Sequence, residues 1–87
     1  AGQTEHAIAA LAALSGFSVS MVEKIAASGN AKGLVALSWK ASLSAANAVT
    51  VQKRLGRIQP NNVLEPKDGK FPLTHDEMDW HLEFYGT

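Results

Sequence analysis

Residues 30–55, NAKGLVALSWKASLSAANAVTVQKRL, decide the fold. Their pattern is one apolar helix, a tight turn and a second, amphipathic helix. Asn30 offers the side-chain oxygen that caps a helix by accepting an orphan backbone N–H, and helical spacing then runs from residue 31 to Ser42. Leu34, Leu37, Ser38 and Ala41 share one face, with Val35 and Trp39 forming a second stripe beside it. Polar atoms enter only at Lys32, Ser38, Lys40 and Ser42. A helix apolar over most of its circumference is covered on more than one side, so this one belongs in the middle of the fold. Trp39 is expected to supply a large share of the buried area, provided its indole N–H finds an acceptor, and truncating it to Ala is expected to cost about 3 to 5 kcal/mol. Leu43 and Ser44 then serve as pre-cap and cap of the next helix, which turns Ala48, Val51 and Leu55 inward before Gly56.

Upstream, the same grammar occurs once more. Thr4 is placed to cap a first helix to Ser15, with Ile8, Leu11, Ala12 and Ser15 on one side, joined by Leu14, and Gly16 as its stop. Phe17, Ser18 and Val22 fit the staple and cap of a second helix that carries Met21, Val22, Ile25 and Ala26 inward and ends at Ser28 and Gly29. A shift of 26 residues lays Ile8 over Leu34, Leu11 over Leu37, Phe17 over Leu43, Ser18 over Ser44 and Ile25 over Val51. The repeating unit is a helix hairpin, which cannot bury its own face alone, so two stacked copies make a minimal core.

Residues 57–73 break the pattern with Pro60, Asn61, Asn62, Pro66, Asp68, Gly69 and Pro72. Lys67-Asp68-Gly69-Lys70 spells a turn, and Val63, Leu64 and Phe71 are the anchors expected to pin this arm to the helices. A last helix follows over residues 74–85. Thr74 and Glu77 form a capping box, Leu73 and Met78 a staple, and Asp76, Glu77 and Asp79 lie where the helix dipole favours negative charge. Met78, Leu82 and Tyr85 make one stripe with His81 beside it, while Trp80 and Phe84 make another. So short a helix must dock, and the aromatics are assigned to the core ahead of an interface.

The 87 residues make one domain, with 4–56 as the hairpin pair, 57–73 as the arm and 74–85 as the C-terminal helix. Cysteine is absent, which excludes disulfides and thiolate-held metal. Net charge is zero but divided. Through Arg57 six basic residues face two acidic ones, and from Ile58 onward two basic residues face six acidic ones. An acidic tail attracted to a basic body accounts for that division. The apolar run at residues 7–14 is too short to span a bilayer and has Glu5 and His6 where a secretory signal has Lys or Arg. The expected location is therefore soluble and cytoplasmic. The chain begins with Ala1, as a segment excised from a longer protein would.

Three segments, residues 72–86 (PLTHDEMDWHLEFYG), 35–44 (VALSWKASLS) and 51–58 (VQKRLGRI), carry a likeness. Together they resemble the C-terminal portion of an uncharacterised bacterial family, a domain of unknown function, of helical, HEAT-like proteins. The resemblance covers residues 9–86. It implies an all-helical fold and a fragment of a longer chain, and it brings no catalytic residues. A glycine is expected in the second hairpin turn, where this chain has Ser42.

No residue set spells a catalytic or cofactor signature. The serines lack a nucleophile elbow, and the glycines punctuate helices instead of cradling phosphate. His75, Asp76, Glu77, Asp79 and His81 are the one dense group of potential ligands or acid–base residues. Their i, i+4 pairs point in different directions and lack a third ligand, so a metal-dependent or acid–base site at His75–His81 is the lesser alternative. The sharper alternative is nucleic-acid binding through a helix-turn-helix-like hairpin. The fourth helix would present Asn47, Thr50, Gln52, Lys53 and Arg54, followed by Arg57. The preferred reading is a non-catalytic interaction or scaffold domain without cofactor. Its partner is another protein or the remainder of a parent chain, met through whichever of Trp80, Phe84 and Tyr85 the last helix leaves exposed.

Overall fold

The computed structural model describes residues 2–86, with the side chains of residues 5–85. Five α-helices follow one another: α1 Gly2–Ser15, α2 Val19–Ala27, α3 Ala31–Lys40, α4 Ala45–Arg54 and α5 His75–Gly86, with a 3-10 turn at Pro60–Asn62 between the last two. The protein is all-α, as its periodicity predicts.

The central helix is α3, packed against α1, α2, α4 and α5. Residues 33–38 are all buried, and Leu34, Val35 and Leu37 meet Leu11, Val22, Ile25, Met78 and Leu82 in one core. Small residues make this possible, since Gly33, Ala36 and Ser38 let neighbouring helices come close. Ser38 adds no unpaired polarity, because its hydroxyl donates to the Leu34 carbonyl at 2.9 Å. The second hairpin meets the first mainly through α3, and α5 closes the core by lying against both α2 and α3.

The repeated caps are present in both hairpins. Ser18 accepts from the Met21 N–H and Ser44 from the Asn47 N–H, each at 3.1 Å. Helix α1 begins at Gly2, upstream of the start expected at Thr4, and the Thr4 cap itself lies outside the described residues. Gly16 and Gly29 take positive φ, as helix-stopping glycines do.

Helix α3 ends at Lys40, two residues earlier than its spacing predicts. The cause is Ser42, held in the left-handed region at φ 64° where a glycine was expected. The Ser42 N–H donates to the Trp39 carbonyl and the Leu43 N–H to the Ser38 carbonyl, both at 3.0 Å. That double closure is the Schellman stop, built here on a residue with a Cβ. Gly56 has the opposite role. Its φ is ordinary, the neighbouring Arg57 takes the left-handed conformation, and a Cβ on Gly56 would collide with the Leu34 side chain. This glycine is there for space.

Trp39 is only partly buried and stacks on the His75 ring, with centroids 5.2 Å apart. Gln52, expected among the exposed donors of α4, is 0% exposed. Its amide clamps the arm: Oε1 accepts from the Leu64 N–H at 2.8 Å, and Nε2 donates to the Leu64 carbonyl at 3.0 Å and to the Ala48 carbonyl at 3.2 Å. Val63 is buried and Leu64 and Phe71 pack on the core, so the three predicted anchors do hold the arm. Asp68 and Gly69, both at positive φ, turn it between mutually bonded Lys67 and Lys70, as in a tight β-hairpin.

Among the described residues, every buried side-chain polar atom has a hydrogen-bond partner. No single helix among them is long and apolar enough to cross a membrane; α1 and α2 reach that composition only as a pair bent by 118°.

Candidate functional site

The position of α5 is set from its first turn. Thr74 and Glu77 close the predicted capping box: the Glu77 N–H donates to the Thr74 hydroxyl at 3.2 Å, and the Glu77 carboxylate accepts from that hydroxyl at 3.2 Å and from the Thr74 N–H at 3.5 Å. Met78 and Leu82 are buried in the core. Near its end, the Tyr85 hydroxyl accepts from Asn30 Nδ2 at 3.2 Å, while Asn30 Oδ1 caps α3 through the Lys32 N–H at 3.1 Å. One asparagine thus starts the central helix and fastens the last one. The ring of Tyr85 lies over Gly33, where an added Cβ would come within 3.0 Å of it.

Fixing that stripe inward turns the other outward. Trp80 is 60% exposed and Phe84 68% exposed, so the assignment of these two rings to the core is overturned. The reason is register: Met78, Leu82 and Tyr85 already fill the space over α2 and α3, and a helix has one inner side. Trp80 and Phe84 stack on each other at 6.0 Å with planes 24° apart. Trp80 also makes a T-shaped contact with His81 at 4.9 Å, and Phe84 makes one with Tyr85 at 5.3 Å. The rings form a ridge one i, i+4 step long, with Asp76 one step before it. Asp76, Glu77, Asp79 and Glu83 are all exposed around it, and α5 contains no Lys or Arg. At the N-terminal end of the ridge, residues Lys70, Phe71, Leu73, His75 and Asp76 line an open depression.

Other large exposed apolar residues are Leu14 and Val19, which flank the α1–α2 turn. Both are aliphatic and carry no aromatic ring.

Asn47, Lys53, Arg54 and Arg57, the residues proposed for nucleic acid, are all exposed. Asn47, Thr50 and Arg54 share a stripe of α4, but the amide of Gln52, which could have read a base edge, is spent on the arm. Sequence reasoning missed that clamp. The signal was present in the spacing of Ala45, Ala48 and Gln52, which line the buried side of α4 at helical intervals.

Among the described residues, no three His, Cys, Asp or Glu side chains converge on a point that would hold a metal ion. His75 is exposed and engaged with Trp39. The pKa of His81 lies below the usual imidazole value, because partial burial and the positive charge of Lys32 disfavour its cation more than Glu77 favours it.

Comparison with protein-family models, curated proteins and solved structures gives no significant match for this chain.

Proposed function

We propose that the protein is a non-catalytic interaction or scaffold domain of helical-repeat, HEAT-like type, and that its contact surface is the outer side of α5. One observation carries this reading: the two largest exposed apolar side chains, Trp80 and Phe84, stand side by side on a helix fixed by a separate inner stripe. Two stacked rings left in water gain the fold no more than roughly the few tenths of a kcal/mol of an i, i+4 pair, whereas Trp and aromatic side chains in general are the anchors that dominate protein interfaces. Tyr85 plays a different part from its neighbours, because its hydroxyl is taken by Asn30. The partner is another protein or a further part of a parent chain.

The test is an affinity capture with the wild-type chain and with a Trp80→Ala, Phe84→Ala chain whose circular dichroism is unchanged. A partner recovered by the first and lost by the second supports the reading. Equal recovery by both overturns it.

A second reading, nucleic-acid binding, is favoured by α4, which ends in exposed Lys53 and Arg54, is followed by Arg57 and holds no carboxylate. Phosphate contacts of this kind produce binding that falls steeply with salt. Lys53→Glu with Arg54→Glu is expected to abolish a DNA mobility shift at low salt, and the lack of any shift by the wild type removes the idea.

A further inference from the structure

Resting on that interaction surface, we propose that its occupant is a cationic amphipathic helix: a partner segment with an apolar stripe flanked by Lys or Arg. The ridge of Trp80 and Phe84 stands on a helix that carries Asp76, Glu77, Asp79 and Glu83 and no Lys or Arg, with Asp76 in line with the two rings; the two histidines of that helix, His75 and His81, are in ring contact with Trp39 and Trp80. Two physical effects therefore select the same sign of charge. Carboxylates attract cations directly, and the exposed faces of Trp and Phe rings attract them through their quadrupoles. An apolar stripe is also needed, because a purely polar cation would leave the hydrophobic area of the rings in water. The i, i+4 line from Asp76 through Trp80 to Phe84 is the kind of ridge that fits between the side-chain rows of another helix.

The competing occupants fit less well. An anionic membrane surface would be repelled by Asp76 and Asp79. A second copy that presented its own α5 would set acid against acid. The basic end of α4 from a second copy has the right charge, but the large exposed apolar residues of the described chain are Leu14, Val19, Trp80 and Phe84, none of them on α4.

The experiment is a fluorescence-anisotropy titration of the whole chain with three dye-labelled helical peptides of about five turns. One carries a Leu stripe flanked by Lys, the second the same stripe flanked by Glu, and the third the Leu and Lys residues scrambled so that no stripe forms. The proposal expects the Lys-flanked helix to bind about tenfold or more tightly than either control, and to weaken as salt is raised. It also expects Asp76→Asn with Asp79→Asn, and separately Trp80→Ala with Phe84→Ala, to weaken that binding about tenfold or more. If the Glu-flanked helix binds as well and still depends on the two rings, the cationic partner is wrong while the aromatic surface stands. If Lys-flanked binding is indifferent to loss of both rings, the aromatic surface itself is wrong. No binding of the Lys-flanked helix, binding to phosphatidylglycerol vesicles in its place, or self-association abolished by Lys53→Glu would each overturn the proposal.

Discussion

Helices α3 and α5 lie against each other and use side-chain bulk in opposite ways. The middle of α3 is built from glycine, alanine, serine, leucine and valine, and six consecutive residues of it are sealed from water by four neighbouring helices. By contrast, α5 is covered along one side only, and sets the two rings that would bury the most area on the other. The difference separates two demands. Close packing of several helices around one axis favours small residues that let backbones approach, and the core here is accordingly aliphatic. Aromatic bulk at an edge adds little to such a core and is available for contact outside it.

The contrast breaks most visibly at Leu34, fully buried at the centre of α3. Leu34→Ala is expected to lower stability by about 2 to 5 kcal/mol, read as a fall in the urea midpoint at constant slope. A loss below 1 kcal/mol would show that α3 is not enclosed as described.

Next comes the clamp that ties the arm to α4. Gln52→Ala strands the backbone N–H and carbonyl of Leu64 and is expected to cost about 1 to 3 kcal/mol. Amide hydrogen exchange at Leu64 should quicken more than exchange within α3. Equal acceleration throughout would mean that the arm and the core open as one unit.

A smaller effect of opposite sign is expected where α3 stops. Ser42→Gly relieves a side chain held at φ 64° and should raise stability by about 1 kcal/mol. A neutral or destabilising result in thermal unfolding would indicate that the serine hydroxyl contributes something its backbone conformation does not reveal.

The smallest effect belongs to the outer side of α5. Trp80→Ser with Phe84→Ser should leave the unfolding free energy within about 0.5 kcal/mol of wild type, because exposed positions away from caps and clamps contribute little. A loss comparable to that at Leu34 would place these rings in the core after all.

Much of this architecture was legible beforehand because it is written in local rules. Ser18, Ser44, Asn30 and the Thr74–Glu77 pair announce helix starts through short-range hydrogen bonds that need no knowledge of the rest of the chain. The central place of α3 follows from its apolar circumference. What stayed hidden depends on where separate segments meet. Nothing local says that Gln52 will find Leu64 twelve residues on, or that Asn30 will reach Tyr85. The orientation of α5 is the same kind of problem. It offers two apolar stripes, both at helical spacing, and only the space left over α2 and α3 selects Met78 and Leu82 for the inside. Trp39 poses a related problem: its place in the central helix leads to packing on the core, but only the position of α5 sets its contact with His75 and leaves the ring partly open to water.

The claim that matters most is that α5 hides one stripe and offers the other. The chain has two tryptophans, so Trp39→Phe leaves Trp80 as the sole indole reporter. Its fluorescence, recorded on the dilute folded protein with acrylamide as quencher, measures that side of the helix directly. Emission at the wavelength of a free indole, with quenching close to that of a small tryptophan amide, is the result this account predicts. Blue-shifted emission that acrylamide scarcely reaches would contradict it.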